Sequence, residues 1–143
     1  MQLKSKLLAI VLAACCAHTT MASAMTIAPA TCPNVAAIKA VGITDIASAY
    51  IVWAGVAKDY YGTDSLWSFM VILQDQAIVD KADALRIANT RISRLKLIRG
   101  PEQNKNEWVC YYAAPGVIEA AAFTPPADYR SAIAGLLAKT KNR

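Results

Sequence analysis

The stretch AYIVWAGVAKDYYGTDSLWSFMVILQ, residues 49–74, decides how the chain is read. Its first part is rich in β-branched and aromatic residues, which suit a pleated surface. In its last part Trp67, Phe69, Val71 and Leu73 fall on one side of a two-residue period, and Ser68, Met70, Ile72 and Gln74 on the other. DYYGTDS, turn-like around Gly62, separates the two. Two strands, 47–57 and 66–74, fit best, although the alanines of 45–58 would also tolerate a helix. With both faces of the second run this apolar, at least one strand should be central in its sheet or covered by helices.

Upstream, Pro33 and then Asn34 to Val41 predict a short helix with Gly42 as its left-handed stop. Downstream, Asp80 caps a helix whose first turn holds Asp83. Ala82, Leu85, Ala88, Ile92 and Leu95 give this helix a buried stripe, and Gly100-Pro101 is read as its end. After the polar residues 102–106, Trp108 to Tyr112 and Val117 to Phe123 read as strands with Pro115-Gly116 between them. Pro125-Pro126 opens a final helix, Ala127 to about Lys139, burying Tyr129, Ile133 and Leu136 or Leu137. The order α-β-β-α-β-β-α predicts an α+β domain with an antiparallel sheet of about four strands and helices packed on one face.

Residues 1–24 have the pattern of an export signal: Lys4 and Lys6, then an apolar run from Leu7 to Ala17. That run is about half of what a bilayer-spanning helix needs. The remainder, residues 25–143, is the length of one domain. Two cleavage readings stand: Leu12-Ala13-Ala14-Cys15 as a lipoprotein box, and Ala22-Ser23-Ala24 as an ordinary signal-peptidase site. Cleavage after Ala24 removes Cys15 and Cys16 and leaves Cys32 and Cys110, an even pair for an oxidising compartment, and is the preferred reading. The expected location is thus periplasmic or secreted, with lipidation at Cys15 as the alternative.

The chain carries 15 Lys and Arg against 10 Asp and Glu. Loss of the two signal lysines leaves a mild positive balance, without the dense basic face of a nucleic-acid binder. The single histidine, His18, lies in the signal. The mature chain therefore lacks the commonest general base and metal ligand, which excludes Ser-His-Asp and Cys-His hydrolysis and histidine-based zinc sites. Walker A, GxGxxG, GxSxG and CxxC patterns are absent. Asp59 and Asp64, like Asp80 and Asp83, sit where turns and caps use carboxylates. The expectation is a protein that binds and does not catalyse.

For binding, the sequence offers a basic series on the central helix, Arg86, Arg91, Arg94, Lys96 and Arg99, and two tyrosine doublets, Tyr60-Tyr61 and Tyr111-Tyr112. The basic series is either a solvated face or a docking surface for anions. Within a strand one of Tyr111 and Tyr112 should be buried and its neighbour exposed. A tyrosine phenolate also ligates haem iron. Cys32-Pro33 looks like a short haem-responsive motif, but a disulfide would occupy that sulfur.

Cys32-Pro33, then Arg-Gly-Pro-Glu at 99–102, Trp-Val-Cys-Tyr-Tyr at 108–112 and Phe-Thr-Pro-Pro at 123–126, all following an export signal, resemble a family of small exported proteins from intracellular Gram-negative bacteria. That family is largely of unknown function and includes a hemin-binding member. The resemblance implies hemin as ligand. A tyrosine of Tyr60, Tyr61, Tyr111 or Tyr112 would then face the iron or ring, with arginines such as Arg91 and Arg94 meeting the propionates. The alternative is an effector-like interaction protein that engages another protein or an anionic surface through a sheet edge or the basic helix.

Overall fold

A computed structural model describes residues 27–49 and 52–126. The expected signal and the expected final helix, Ala127 to Lys139, lie outside the described residues. The described residues form an α+β fold: α1 (Val35–Val41), β1 (Asp45–Ala49), β2 (Val52–Asp59), β3 (Trp67–Gln74), α2 (Lys81–Ile92), β4 (Lys96–Asn104), β5 (Glu107–Ala113) and β6 (Glu119–Thr124). One antiparallel sheet runs in the order β1-β2-β3-β6-β5-β4.

The strand with two apolar faces is interior, as its pattern requires. Trp67, Phe69, Val71 and Leu73 of β3 join Ile38 of α1 and Ala84, Ala88 and Ile92 of α2 in one core. Met70 and Ile72 point the other way and cluster with Ala54 and Val56, a group that contains no residue of α1 or α2. Both described helices thus belong to one face of the sheet.

Two expectations are corrected. The sheet has six strands, not about four: the stretch read as one strand, 47–57, contributes two, Asp45–Ala49 pairing back on Val52–Val56. The central helix ends at Ile92, about two turns before Gly100-Pro101. Leu95 N–H donates to Ile92 O at 3.0 Å, an i to i+3 bond that tightens the chain into a turn. Lys96 to Asn104 then pair with β5. Backbone pairing along Trp108 to Tyr112 outweighs the favourable helix propensity of Lys96, Leu97 and Arg99. Pro101 is tolerated because β4 is an edge strand, where a missing N–H breaks no ladder on the open side. At Gly100 φ is +120°, and a Cβ there would lie 2.7 Å from Val109 O and 3.2 Å from Cys32 Sγ, so this bulge admits only glycine.

The Cys32–Cys110 disulfide is present, at a sequence separation of 78. Beside it the Tyr112 hydroxyl donates to Pro33 O at 2.8 Å, and Asn34 N–H donates to Tyr61 O at 3.2 Å. These three bonds seat the start of α1 on the sheet. At its other end Gly42 has φ +71°, and a Cβ would lie 2.6 Å from Asn89 Oδ1. That oxygen accepts from Ile43 N–H at 2.8 Å, while Asn89 Nδ2 donates to Ile43 O and Leu85 O. Asn89 therefore splices α2 to the α1–β1 connection.

Closing so long a loop stabilises the fold by roughly 4 kcal/mol on the chain-entropy model. Cys32→Ser with Cys110→Ser should therefore lower unfolding free energy by about that amount in urea melts, and added reductant should do the same to the parent protein. A loss under about 1 kcal/mol would show that the bond does not carry the fold. Asn89→Ala should cost about 1–3 kcal/mol in the same assay, because it orphans buried backbone groups at Ile43.

Candidate functional site

The two tyrosine doublets are split by the sheet. Tyr112 and Tyr61 lie in the helix-side core, where both rings meet Phe69 edge-on, at centroid distances of 5.6 and 6.5 Å. Burial raises the pKa of Tyr61, with the charge of Asp59 adding to it, and burial likewise raises that of Tyr112. Both stay neutral phenols, ill suited to binding iron as phenolates. The Tyr61 hydroxyl makes no well-formed hydrogen bond, only a poorly aligned approach to the Phe69 backbone. Tyr60 is exposed in the β2–β3 loop. Tyr111 points to the opposite face from Tyr112 and is half-exposed, with the Arg99 guanidinium 4.0 Å above its ring.

The basic series is dispersed in the same way. Arg86 pairs with Asp83 on α2. Arg91 donates to the Asp75 carboxylate and to Gly116 O, clamping α2 to the β3–α2 and β5–β6 connections. The Ala77 N–H and the Arg91 guanidinium hold the Asp75 carboxyl below its usual pKa. Arg91 is thus a structural clasp, not a free arm. Arg99 is tied to Glu102 on β4. Asp59 accepts from Tyr60 N–H, and Asp80 caps α2 by accepting from Asp83 N–H, so those carboxylates serve turns and caps. Among the described residues no group of three or more His, Cys, Asp or Glu side chains converges as a metal site would require.

What the fold does bring together was not visible as a group in the sequence. Lys39 from α1, Arg94 and Leu95 from the α2–β4 turn, Lys96 of β4, and Ala113, Ala114 and Pro115 after β5 line an open cleft of about 550 Å³. Leu95 is buried and forms an apolar floor. Lys39, Arg94 and Lys96 are exposed, and none takes part in an ion pair among the described residues. No carboxylate lines the cleft.

The cleft continues into the free edge of β4. Residues 96–100 are all exposed, and two large apolar side chains are among them, Leu97 at 46 % and Ile98 at 59 % of full exposure. The register on β5 shifts between Leu97 and Arg99 and again between Arg99 and Glu102. The regular part at the start of the edge is therefore short, Lys96 and Leu97, and Ile98 falls in the first irregularity. Of the basic series offered for binding, Arg94 and Lys96 lie in this cleft, and none of the four tyrosines does. Lys39, Leu97 and Ile98 had no reason to be grouped before α2 was seen to stop at Ile92, although the apolar pair in KLIR was a strand signal in its own right.

No helix among the described residues is long and apolar enough to cross a membrane. The chain defines a class by its architecture alone, a disulfide-clasped α+β domain with an open basic edge. It matches no family model, no curated protein and no solved structure.

The buried phenols make stability depend on alkaline pH. Their folded-state pKa values lie above the unfolded value of about 10, so their contribution is complete below that pH and is lost as pH rises beyond it. Urea melts followed by tryptophan fluorescence should show stability falling above pH 10, with a smaller fall in Tyr61→Phe and Tyr112→Phe. At pH 7 Tyr61→Phe should be nearly neutral, whereas Tyr112→Phe should cost about 1 kcal/mol by orphaning Pro33 O. Equal alkaline losses in all three proteins would show that these phenols ionise without penalty.

Proposed function

We propose that this is an exported, non-enzymatic binding protein that engages an acidic, extended segment of a partner protein at the β4 edge and its adjoining cleft. The observation that carries the reading is the coincidence of three cations without an ion pair among the described residues, Lys39, Arg94 and Lys96, with an exposed strand edge bearing Leu97 and Ile98. An extended peptide added to such an edge gains main-chain hydrogen bonds, while its side chains meet those of the edge strand. The cations favour acidic partners and speed their encounter. Export is supported by the signal pattern of residues 1–24, and a disulfide is compatible with it.

Random octapeptides immobilised through either end test the reading directly. The purified protein should retain peptides that combine acidic residues with apolar residues at alternate positions. Lys39→Glu, Arg94→Glu and Lys96→Glu should abolish retention, as should N-methylation of the peptide backbone, which removes main-chain donors without changing charge. Retention of basic peptides, or indifference to N-methylation, would overturn it. Binding confined to vesicles of anionic lipid would replace a protein partner with a membrane surface.

A second reading, hemin as ligand, is favoured at one place only, where half-exposed Tyr111 adjoins Arg99. A saturable Soret shift lost in Tyr111→Phe would support it. An unsaturable spectrum would remove it.

A further inference from the structure

We infer that the β4 edge recognises the C-terminal end of its partner, with the partner's terminal carboxylate held in the cleft by Arg94, Lys96 and Lys39. This rests on the reading of the edge as a peptide-binding site and adds which part of a partner it takes.

Three observations converge. The first is direction. Each strand pairing in the sheet is antiparallel, including that of β4 with β5. Antiparallel pairing is also slightly the more stable per residue. A segment added antiparallel to β4 ends beside the residues where β4 begins, and β4 begins at Lys96, next to Arg94. Its last residue therefore arrives at the cleft.

The second is length. Pro101 has no N–H to offer, and the register shifts at Leu97/Arg99 and Arg99/Glu102 distort the strand beyond its first turn of ladder. Only Lys96 and Leu97, ahead of the first register shift, present a regular edge, so the ladder reaches only the last few residues of a ligand. So short a ladder gives little affinity without a strong contact at one end. Leu97 and the bulged Ile98, both exposed, add apolar surface beside it.

The third is charge. The cleft at that end holds three cations and no carboxylate. A terminal carboxylate presents two acceptor oxygens at a fixed place, which suits the fork of an arginine flanked by ammonium groups.

Peptides recovered from the octapeptide screen supply the test. Each is synthesised as the free acid and as the C-terminal amide and titrated by fluorescence anisotropy. The free acid should bind at least about ten-fold more tightly, the ratio expected when one charge-assisted contact is lost. Arg94→Gln and Lys96→Gln should remove most of that ratio by weakening the free acid far more than the amide, and Leu97→Ser should weaken both forms alike. Circular dichroism confirms that each variant is folded. Equal binding of acid and amide would overturn terminal recognition and leave the edge reading in place. Recovery of no peptide at all would overturn both.

Discussion

Cys32–Cys110 is the one covalent tie between two parts of the chain that otherwise meet through hydrogen bonds and the apolar packing of Ile38 and its neighbours on the sheet. Cys110 lies in β5, which carries the edge strand β4 on one side and β6 on the other. Cys32 lies just before α1, which carries Lys39 in its last turn. The basic cleft has one wall from each part: Lys39 from the helix, and Lys96 with Ala113 from the strands. The covalent bond, backed by Tyr112 reaching Pro33 O, therefore fixes the distance between the two walls as well as stabilising the fold. A seven-residue helix such as α1 is too short to hold its position by propensity. Its cation is where it is because its start is anchored at Cys32, Pro33 and Asn34, and its end at Gly42 and Asn89.

The sheet supplies the rest through an asymmetry between centre and edge. β3 is buried on both faces, so the centre of the sheet is rigid and specified by packing. Along β5 and β4 the burial falls away, until residues 96–100 are fully in contact with solvent. A binding edge needs this gradient. Main-chain groups must be free to pair with a ligand, and the strand that offers them must hang from something that does not move. The rings of Tyr61, Phe69 and Tyr112, packed edge to face beneath β5, give β4 that support.

Local physics made much of the fold legible in the sequence. Alternation at Trp67 to Gln74 placed β3 in the interior, Asn34 and Gly42 bracketed α1, Asp80 marked the start of α2, and Pro115-Gly116 marked the turn before β6. Two features depended on distant partners and could not be read this way. Residues 45–49 form a separate strand because β2 folds back to pair with them. Lys96 to Asn104 are a strand because β5 offers an edge, although Leu95 continues the helical stripe and is buried as a stripe residue would be. The site followed the same division. The cysteine pair was evident from counting, but Arg91 looked like a ligand group until Asp75 and Gly116 were seen to hold it. The cleft was hidden because its three cations come from separate elements.

An open sheet has two edges, and the difference between them explains why binding is assigned to one. The β1 edge is five residues long, begins at Asp45, which Lys81 engages at 2.8 Å, and lies beside α2. Ile46 is buried there, so the strand spends its apolar surface on the core. The β4 edge is longer and would invite unwanted pairing if it were regular throughout. Its second half carries the protections expected of a guarded edge: a bulge at Gly100, Pro101 and the Arg99–Glu102 pair. The three residues of β4 before Arg99 keep two exposed apolar side chains, one of them at the first bulge, and a lysine with no ion pair among the described residues, at the end that opens into the cleft. An edge guarded along half its length and left open beside three cations has the form of a site that admits one short strand and refuses longer ones.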